Sequence, residues 1–130
     1  MILLDTHCAL WIEMAPENLS AQARARVLQA ETSHEELAIS CMTLWEIAHK
    51  HARRQLELYA PVNKFLAEME KDFIVLPVYR AVVVKAAELG DPFPKDPMDR
   101  LIVGTALAND LVLLTADERI HQANACKLLW

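Results

Sequence analysis

Short apolar runs alternate with amphipathic segments along this chain, and the alternation restricts its fold more than any other feature. The runs are too short for helices and are apolar throughout, as expected for parallel strands covered on both faces. The segments between them carry apolar residues at helical spacing. We therefore predict an α/β fold of three layers, with a central parallel sheet between two layers of helices. The predicted strands are 2–4, 37–40, 73–76 and 111–114, with 127–129 as a last edge strand.

Capping residues mark the starts of several predicted helices. Thr43, followed three residues later by Glu46, has the pattern of a capping box and predicts a helix start. Asp96 predicts another N-cap, because Pro97 at the first helical position has no N–H to satisfy. The remaining predicted helices begin at residues 7, 21, 61, 79 and 118.

Size and composition narrow the classes of function. A chain of 130 residues that is 54% apolar predicts one domain, covering residues 1–130. Its two glycines are too few for a glycine-rich phosphate loop. No apolar stretch reaches the roughly 20 residues of a membrane span, and the charge at Asp5 argues against a signal peptide. The three cysteines have no CxxC spacing, so we expect no zinc site. We also expect a cytoplasmic protein without a membrane partner, in which the cysteines remain reduced.

Four acidic residues are placed where the predicted topology collects them. Asp5 follows the first strand, Glu46 lies in the helix after the second, and Asp117 comes three residues after the fourth. Asp99 lies in the first turn of the helix that leads into the fourth strand. Because that helix runs antiparallel to the strands, it begins at their carboxyl edge, where ligands bind in open parallel sheets. The four carboxylates are therefore predicted to form one cluster, with the oxygen ligands that Mg²⁺ and Mn²⁺ prefer.

Several of these side chains also have a structural interpretation. Glu46 fits the capping box with Thr43, and Asp117 fits an N-cap for the turn that follows it. Asp96 is sufficiently explained as an N-cap, so we regard it as an auxiliary candidate only. Two hydroxyls next to the acids are further auxiliary candidates, as partners of water on a metal ion: Thr6 and Thr115.

The net charge of −5 argues against a nucleic-acid partner, because a negatively charged protein repels a polyanion. Metal cations bound to clustered carboxylates would neutralise much of this negative charge. The most basic segment is 49–54, and its cations are candidate contacts for a phosphate backbone. A solvated helix face explains the same segment equally well. The candidate RNA contacts are Lys50, Arg53, Arg54 and Arg100.

Four segments in order resemble the PIN-domain family, and most closely its branch of bacterial VapC-type toxins. They are the LLDTH segment at 3–7, the ISCMTLWEI segment at 39–47, the DPMDRLI segment at 96–102 and the LTAD segment at 114–117. One such motif is weak by itself, whereas four in register cover nearly the whole chain.

The resemblance implies a parallel sheet of strand order 3-2-1-4-5 and an endoribonuclease that depends on Mg²⁺ or Mn²⁺. It places the four family acids on Asp5, Glu46, Asp99 and Asp117. Asp5 and Asp99 are then the direct metal ligands, and Glu46 and Asp117 complete the cluster through the metal or its waters. It also implies hydrolysis of RNA phosphodiesters by a metal-activated water, a small antitoxin that blocks the site, and a homodimer.

Other functions remain open at the level of sequence. A phosphatase with an aspartate nucleophile needs a second aspartate two residues later, where this chain has His7. A phosphorylated receiver-like domain needs a lysine after its last strand, and none is evident. A PIN fold that binds metal or RNA with little catalysis is the third alternative. The pattern does not identify the RNA that would be cut.

Overall fold

Five parallel strands form one sheet in the computed structural model, which describes residues 1–130. Their order is β3-β2-β1-β4-β5, so the first strand of the chain lies at the centre. This arrangement confirms the predicted α/β class and the strand order that the family resemblance implies. The strands are β1 (Ile2–Leu4), β2 (Leu37–Ser40), β3 (Ile74–Leu76), β4 (Val112–Leu114) and β5 (Leu128–Leu129).

Seven helices connect and cover these strands, and most begin within a residue or two of the predicted positions. A short 3-10 turn, Pro16–Asn18, separates the first two. No helix combines the length and the apolar character that crossing a membrane requires. The helices are α1 (Thr6–Met14), α2 (Ala21–Thr32), α3 (Cys41–Ala52), α4 (Val62–Asp72), α5 (Arg80–Glu88), α6 (Pro97–Ala108) and α7 (Glu118–Ala123).

The start of α3 differs from the prediction. The helix begins at Cys41, and its N-cap is Ser40, whose side chain accepts a hydrogen bond from the Met42 N–H at 3.2 Å. Strand β2 passes directly into α3, so the hydroxyl at the strand end caps the helix before Thr43 is reached. Thr43 is buried within the helix, and the predicted capping box with Glu46 is therefore wrong.

The two faces of the sheet are buried in two separate apolar clusters. Alternate residues of β1 point to opposite faces, as the two-residue period of a strand requires. Ile2 and Leu4 pack with side chains of α1 to α4, whereas Leu3 packs with side chains of α6 and α7. Helices therefore cover both faces. The carboxyl edge of the sheet is not covered in this way, and the ends of the strands and the starts of several helices meet there.

Helix α5 packs closely against α6 at a glycine. A Cβ atom added at Gly104 would lie 2.7 Å from the Val82 carbonyl oxygen and 3.0 Å from the Ala86 Cβ. Only a residue without a side chain allows α5 and α6 to pack at this distance.

Candidate active site

Asp5 lies at the end of the central strand and is almost completely buried, with 7% of its surface exposed. It is the N-cap of α1: Oδ1 accepts a hydrogen bond from the Thr6 N–H at 2.7 Å. Its Oδ2 accepts another from the Thr115 hydroxyl, also at 2.7 Å. Burial raises the pKa of the Asp5 carboxyl, and these two hydrogen bonds oppose the rise. Asp5 is thus a fixed, poorly solvated acid at the carboxyl edge of the sheet.

Thr115 connects the end of the central strand β1 with the end of its neighbour β4. Its buried hydroxyl donates to Asp5 and accepts a hydrogen bond from the Asp117 N–H at 3.1 Å. A hydroxyl can do both because it has one proton and two lone pairs. The position of Asp117 on the β4 side is therefore coupled to that of Asp5 on the β1 side.

Glu46 reaches the same edge from the second turn of α3. Its Oε2 accepts a hydrogen bond from the Thr6 hydroxyl at 2.6 Å, and its Oε1 pairs with Lys50 Nζ at 2.7 Å. The Thr43 hydroxyl lies 3.2 Å from that of Thr6 and is buried with it. Glu46 is near enough to Asp5 for its charge to contribute to the raised pKa of Asp5.

Asp117 is the N-cap of α7 and is held by an arginine two residues later. Its Oδ1 accepts hydrogen bonds from the Arg119 N–H at 2.8 Å and from Arg119 Nε at 3.2 Å. Its Oδ2 pairs with Arg119 Nη2 at 2.7 Å. These contacts hold the pKa of Asp117 below its usual value. The capping interpretation of Asp117 is therefore correct as a description of its local structure.

Asp99 is the least compensated acid of the group. Its side chain is 17% exposed, and its one charged partner is Arg119 Nη2, at 3.4 Å. Burial raises the pKa of Asp99 to about 7, with further contributions from the charges of Asp96, Asp5 and Asp117. Asp99 thus interacts electrostatically with the other acids of this edge, as expected if the first turn of α6 faces them.

The four predicted acids therefore lie in one region at the carboxyl edge of the sheet, linked by hydrogen bonds or by electrostatic coupling. Thr6 and Thr115 lie between them, as partners of the acids. Asp96 caps α6 by accepting a hydrogen bond from the Met98 N–H at 2.8 Å and remains exposed beside the cluster.

The candidate RNA contacts are placed differently from one another. Lys50 is bound to Glu46 at the site, whereas Arg53 and Arg54 are exposed where α3 ends. The Arg100 guanidinium donates hydrogen bonds to the Leu89 and Phe93 carbonyls, so it holds the loop that precedes α6.

Sequence reasoning missed Arg119, the cation that bridges Asp99 and Asp117. Its position two residues after an N-cap aspartate was visible in the sequence, and a side chain there can fold back on the cap. The contact to Asp99, 20 residues earlier, depends on how α6 and α7 pack and has no local signal.

The residues of the cluster fit a hard divalent cation by two observations. First, all four acids offer oxygen ligands, which Mg²⁺ and Mn²⁺ prefer. Second, Asp99 is a partly buried acid among other acids, and its one charged partner, Arg119 Nη2, lies 3.4 Å away. The side chains are at present engaged with Arg119, Lys50 and Thr6, and no three acidic, histidine or cysteine residues form a ready-made metal-binding group. A cation would therefore exchange for some of these contacts.

Comparison with known proteins agrees with this geometry. A family model described as the PIN domain matches residues 2–125. Ribonuclease VapC22 of Mycobacterium tuberculosis (strain ATCC 25618 / H37Rv) is 31% identical over 120 residues, which are 92% of this chain and 89% of that protein.

Two solved structures are examples of proteins with the same fold. VapBC2 from Rickettsia felis, bound to a DNA fragment from its promoter, matches with a TM-score of 0.74 and 15% identity, covering 99% of this chain and 98% of that one. FitAcB from Neisseria gonorrhoeae matches with a TM-score of 0.65 and 23% identity, covering 100% and 97%. These likenesses show the fold. The family model and the relative in Mycobacterium tuberculosis establish that the chain belongs to the PIN-domain family, in its VapC-type branch.

Proposed function

We propose that this chain is an endoribonuclease dependent on Mg²⁺ or Mn²⁺, and the toxin of a toxin–antitoxin pair. Its relative in Mycobacterium tuberculosis is named a ribonuclease, and the chain aligns with most of that protein. The reaction is hydrolysis of an RNA phosphodiester by water, without a covalent intermediate on the protein.

The main support for this proposal is that the four acidic side chains lie close together. Asp5, Glu46, Asp99 and Asp117 come from four separate segments, yet their carboxylates share one edge of the sheet. Stability of the fold alone does not account for this arrangement, because like charges in a partly buried region repel one another. Burial is the largest cause of the raised pKa of Asp99, and the neighbouring charges of Asp96, Asp5 and Asp117 raise it further.

A divalent cation would be held by Asp5 and Asp99, and Glu46 and Asp117 would complete the cluster. Such a cation would make a bound water more acidic and would stabilise negative charge on the phosphodiester. The chain itself supplies orientation. Thr115 fixes one oxygen of Asp5 by hydrogen bonding, and the Thr6 hydroxyl fixes one oxygen of Glu46. The other oxygens are held as well, because Asp5 Oδ1 accepts a hydrogen bond from the Thr6 N–H and Glu46 Oε1 pairs with Lys50. Both carboxylates therefore have a defined geometry before the substrate arrives.

The proposed binding partners are based on the family and on the similar solved structures. Those neighbours are complexes of VapBC and FitAB type, so we propose a small antitoxin protein that covers the carboxylate edge. A homodimer and a cytoplasmic location belong to the same proposal; the three free cysteines accord with a reducing compartment. Arg53 and Arg54 remain the candidate RNA contacts with exposed cations.

Cleavage of single-stranded RNA by the purified protein tests the proposal. We expect activity with Mg²⁺ or Mn²⁺, its loss in EDTA, and a decrease of at least about 100-fold in the Asp5→Asn and Asp99→Asn variants, as is usual when charge stabilisation is removed. Asp110→Asn is the matched control, since Asp110 is an exposed aspartate paired only with Lys127.

The outcomes separate the alternatives. Asp5→Asn cutting RNA as fast as the parent protein excludes the proposed site. Binding of Mn²⁺ and RNA without any cleavage indicates instead a PIN fold that has kept its acids and acts as a binding module.

A further inference from the structure

The Arg119 guanidinium occupies the gap between two of the proposed metal-binding carboxylates. Nη2 lies 2.7 Å from Oδ2 of Asp117 and 3.4 Å from Oδ2 of Asp99, so one nitrogen contacts both acids. The two carboxylates belong to different elements, the first turn of α6 and the N-cap of α7. Arg119 therefore supplies positive charge at the place where these elements bring negative charges together.

The Arg119 side chain is nevertheless not fixed by its surroundings. It is 64% exposed, whereas Asp99 and Asp117 are 17% and 21% exposed. Besides these two acids, it has no hydrogen-bond or ion-pair partner in the structure. A long side chain on the surface, held only through its charged end, can move away when a stronger cation binds its partners.

Space for that movement lies next to the side chain. Arg119 borders a cavity of about 270 Å³ between the loop before α6 and helix α7. The other residues around it are Pro92, Pro94, Lys95, Gln122 and Ala123. Apart from Arg119, the one charged residue there is Lys95, a cation, so the cavity offers room for the displaced guanidinium but no acid to hold it.

We propose that Arg119 is the resident counter-ion of Asp99 and Asp117, and that it leaves them for the adjacent cavity when a divalent cation binds. This inference rests on the proposed function, since it assumes that the carboxylates take such a cation. Arg119 is then a residue that sets the metal affinity of the site: it stabilises the acids in the metal-free protein and competes with metal for them.

Titration of the full chain with Mn²⁺ in a calorimeter tests the competition. Replacing Arg119 with glutamine removes the competing charge, and we expect Arg119→Gln to bind Mn²⁺ about fivefold more tightly, the size expected for a partly exposed ion pair. Arg80→Gln is the matched control, because it removes one positive charge from an exposed position at the start of α5. This control should bind Mn²⁺ as the parent does.

A second measurement follows the movement itself. Phenylglyoxal modifies free guanidinium groups, so modification of Arg119, mapped by mass spectrometry, should be slow in EDTA and several-fold faster with saturating Mn²⁺. Modification of Arg80 in the same samples should be unaffected.

The two measurements distinguish failure of this inference from failure of the proposed function. Equal Mn²⁺ affinity in the parent and in Arg119→Gln, or Arg119 modification that Mn²⁺ leaves unchanged, overturns the counter-ion role and leaves the metal site in place. Absence of Mn²⁺ binding in both proteins overturns the inference together with the proposed metal-dependent activity.

Discussion

At the scale of single residues, ionisation of Asp99 should make the fold less stable as pH rises. Its pKa is raised from 3.8 to about 7, so the folded protein keeps a proton that the unfolded chain has lost. The unfolding free energy contributed by this group therefore falls as pH increases from about 4 to about 7. Asparagine cannot ionise and avoids this loss.

We therefore predict that Asp99→Asn is more stable than the parent at pH 8 in EDTA, by on the order of 2 kcal/mol after solvent screening, and that the difference shrinks at pH 5. Thermal unfolding at the two pH values measures it. Asp110→Asn is the control: Lys127 lowers the pKa of Asp110, so that variant should gain nothing at high pH. A gain for Asp99→Asn that is the same at pH 5 and pH 8 would contradict the prediction.

Three of the four candidate acids follow a local rule of sequence, whereas Glu46 was assigned mainly from the family resemblance. Asp5 and Asp117 stand at strand ends, and Asp99 stands in the first turn of a helix. The capping of α7 by Asp117 was also visible in the sequence. The Arg119 bridge was not, because it depends on a long, exposed side chain reaching between two elements.

At the scale of elements, the contact between α5 and α6 limits which residues position 104 accepts. Gly104→Ala places a methyl group 2.7 Å from the Val82 carbonyl oxygen, so one helix must shift. We predict a loss of about 1 to 3 kcal/mol in unfolding free energy, typical of overpacking, measured by urea denaturation. Gly90→Ala is the control, since no atom lies within 4 Å of its added Cβ. Equal stability of Gly104→Ala and the parent would mean that the helices are not held this closely.

The sequence predicted whether each segment is a helix or a strand more accurately than it predicted where each one begins. The proline at position 97 and the aspartate before it fixed the start of α6 correctly. The start of α3 was misplaced because two hydroxyl residues compete for the cap, and periodicity alone does not say where a strand becomes a helix. The competition decides the role of Thr43, which is buried beside Thr6 rather than exposed at a helix end.

At the scale of the whole molecule, the site is assembled by the order of the strands. The Thr115 hydroxyl contacts Asp5 across 110 positions of sequence because β4 lies directly beside β1. Apolar periodicity predicts strands and layers, but it does not say which strands are neighbours, so the order came from the family resemblance. With that order, the carboxyl ends of β1, β2 and β4 adjoin, and their acids meet.

We propose that these four carboxylates together form one site for a divalent cation. Anomalous X-ray scattering from crystals of the protein soaked in Mn²⁺ locates bound manganese independently of activity. We predict a manganese peak within ligand distance of carboxylate oxygens of Asp5 and Asp99. Crystals of Asp5→Asn should show no such peak. Manganese bound only elsewhere on the protein, under conditions in which the same preparation cleaves RNA, would contradict the account.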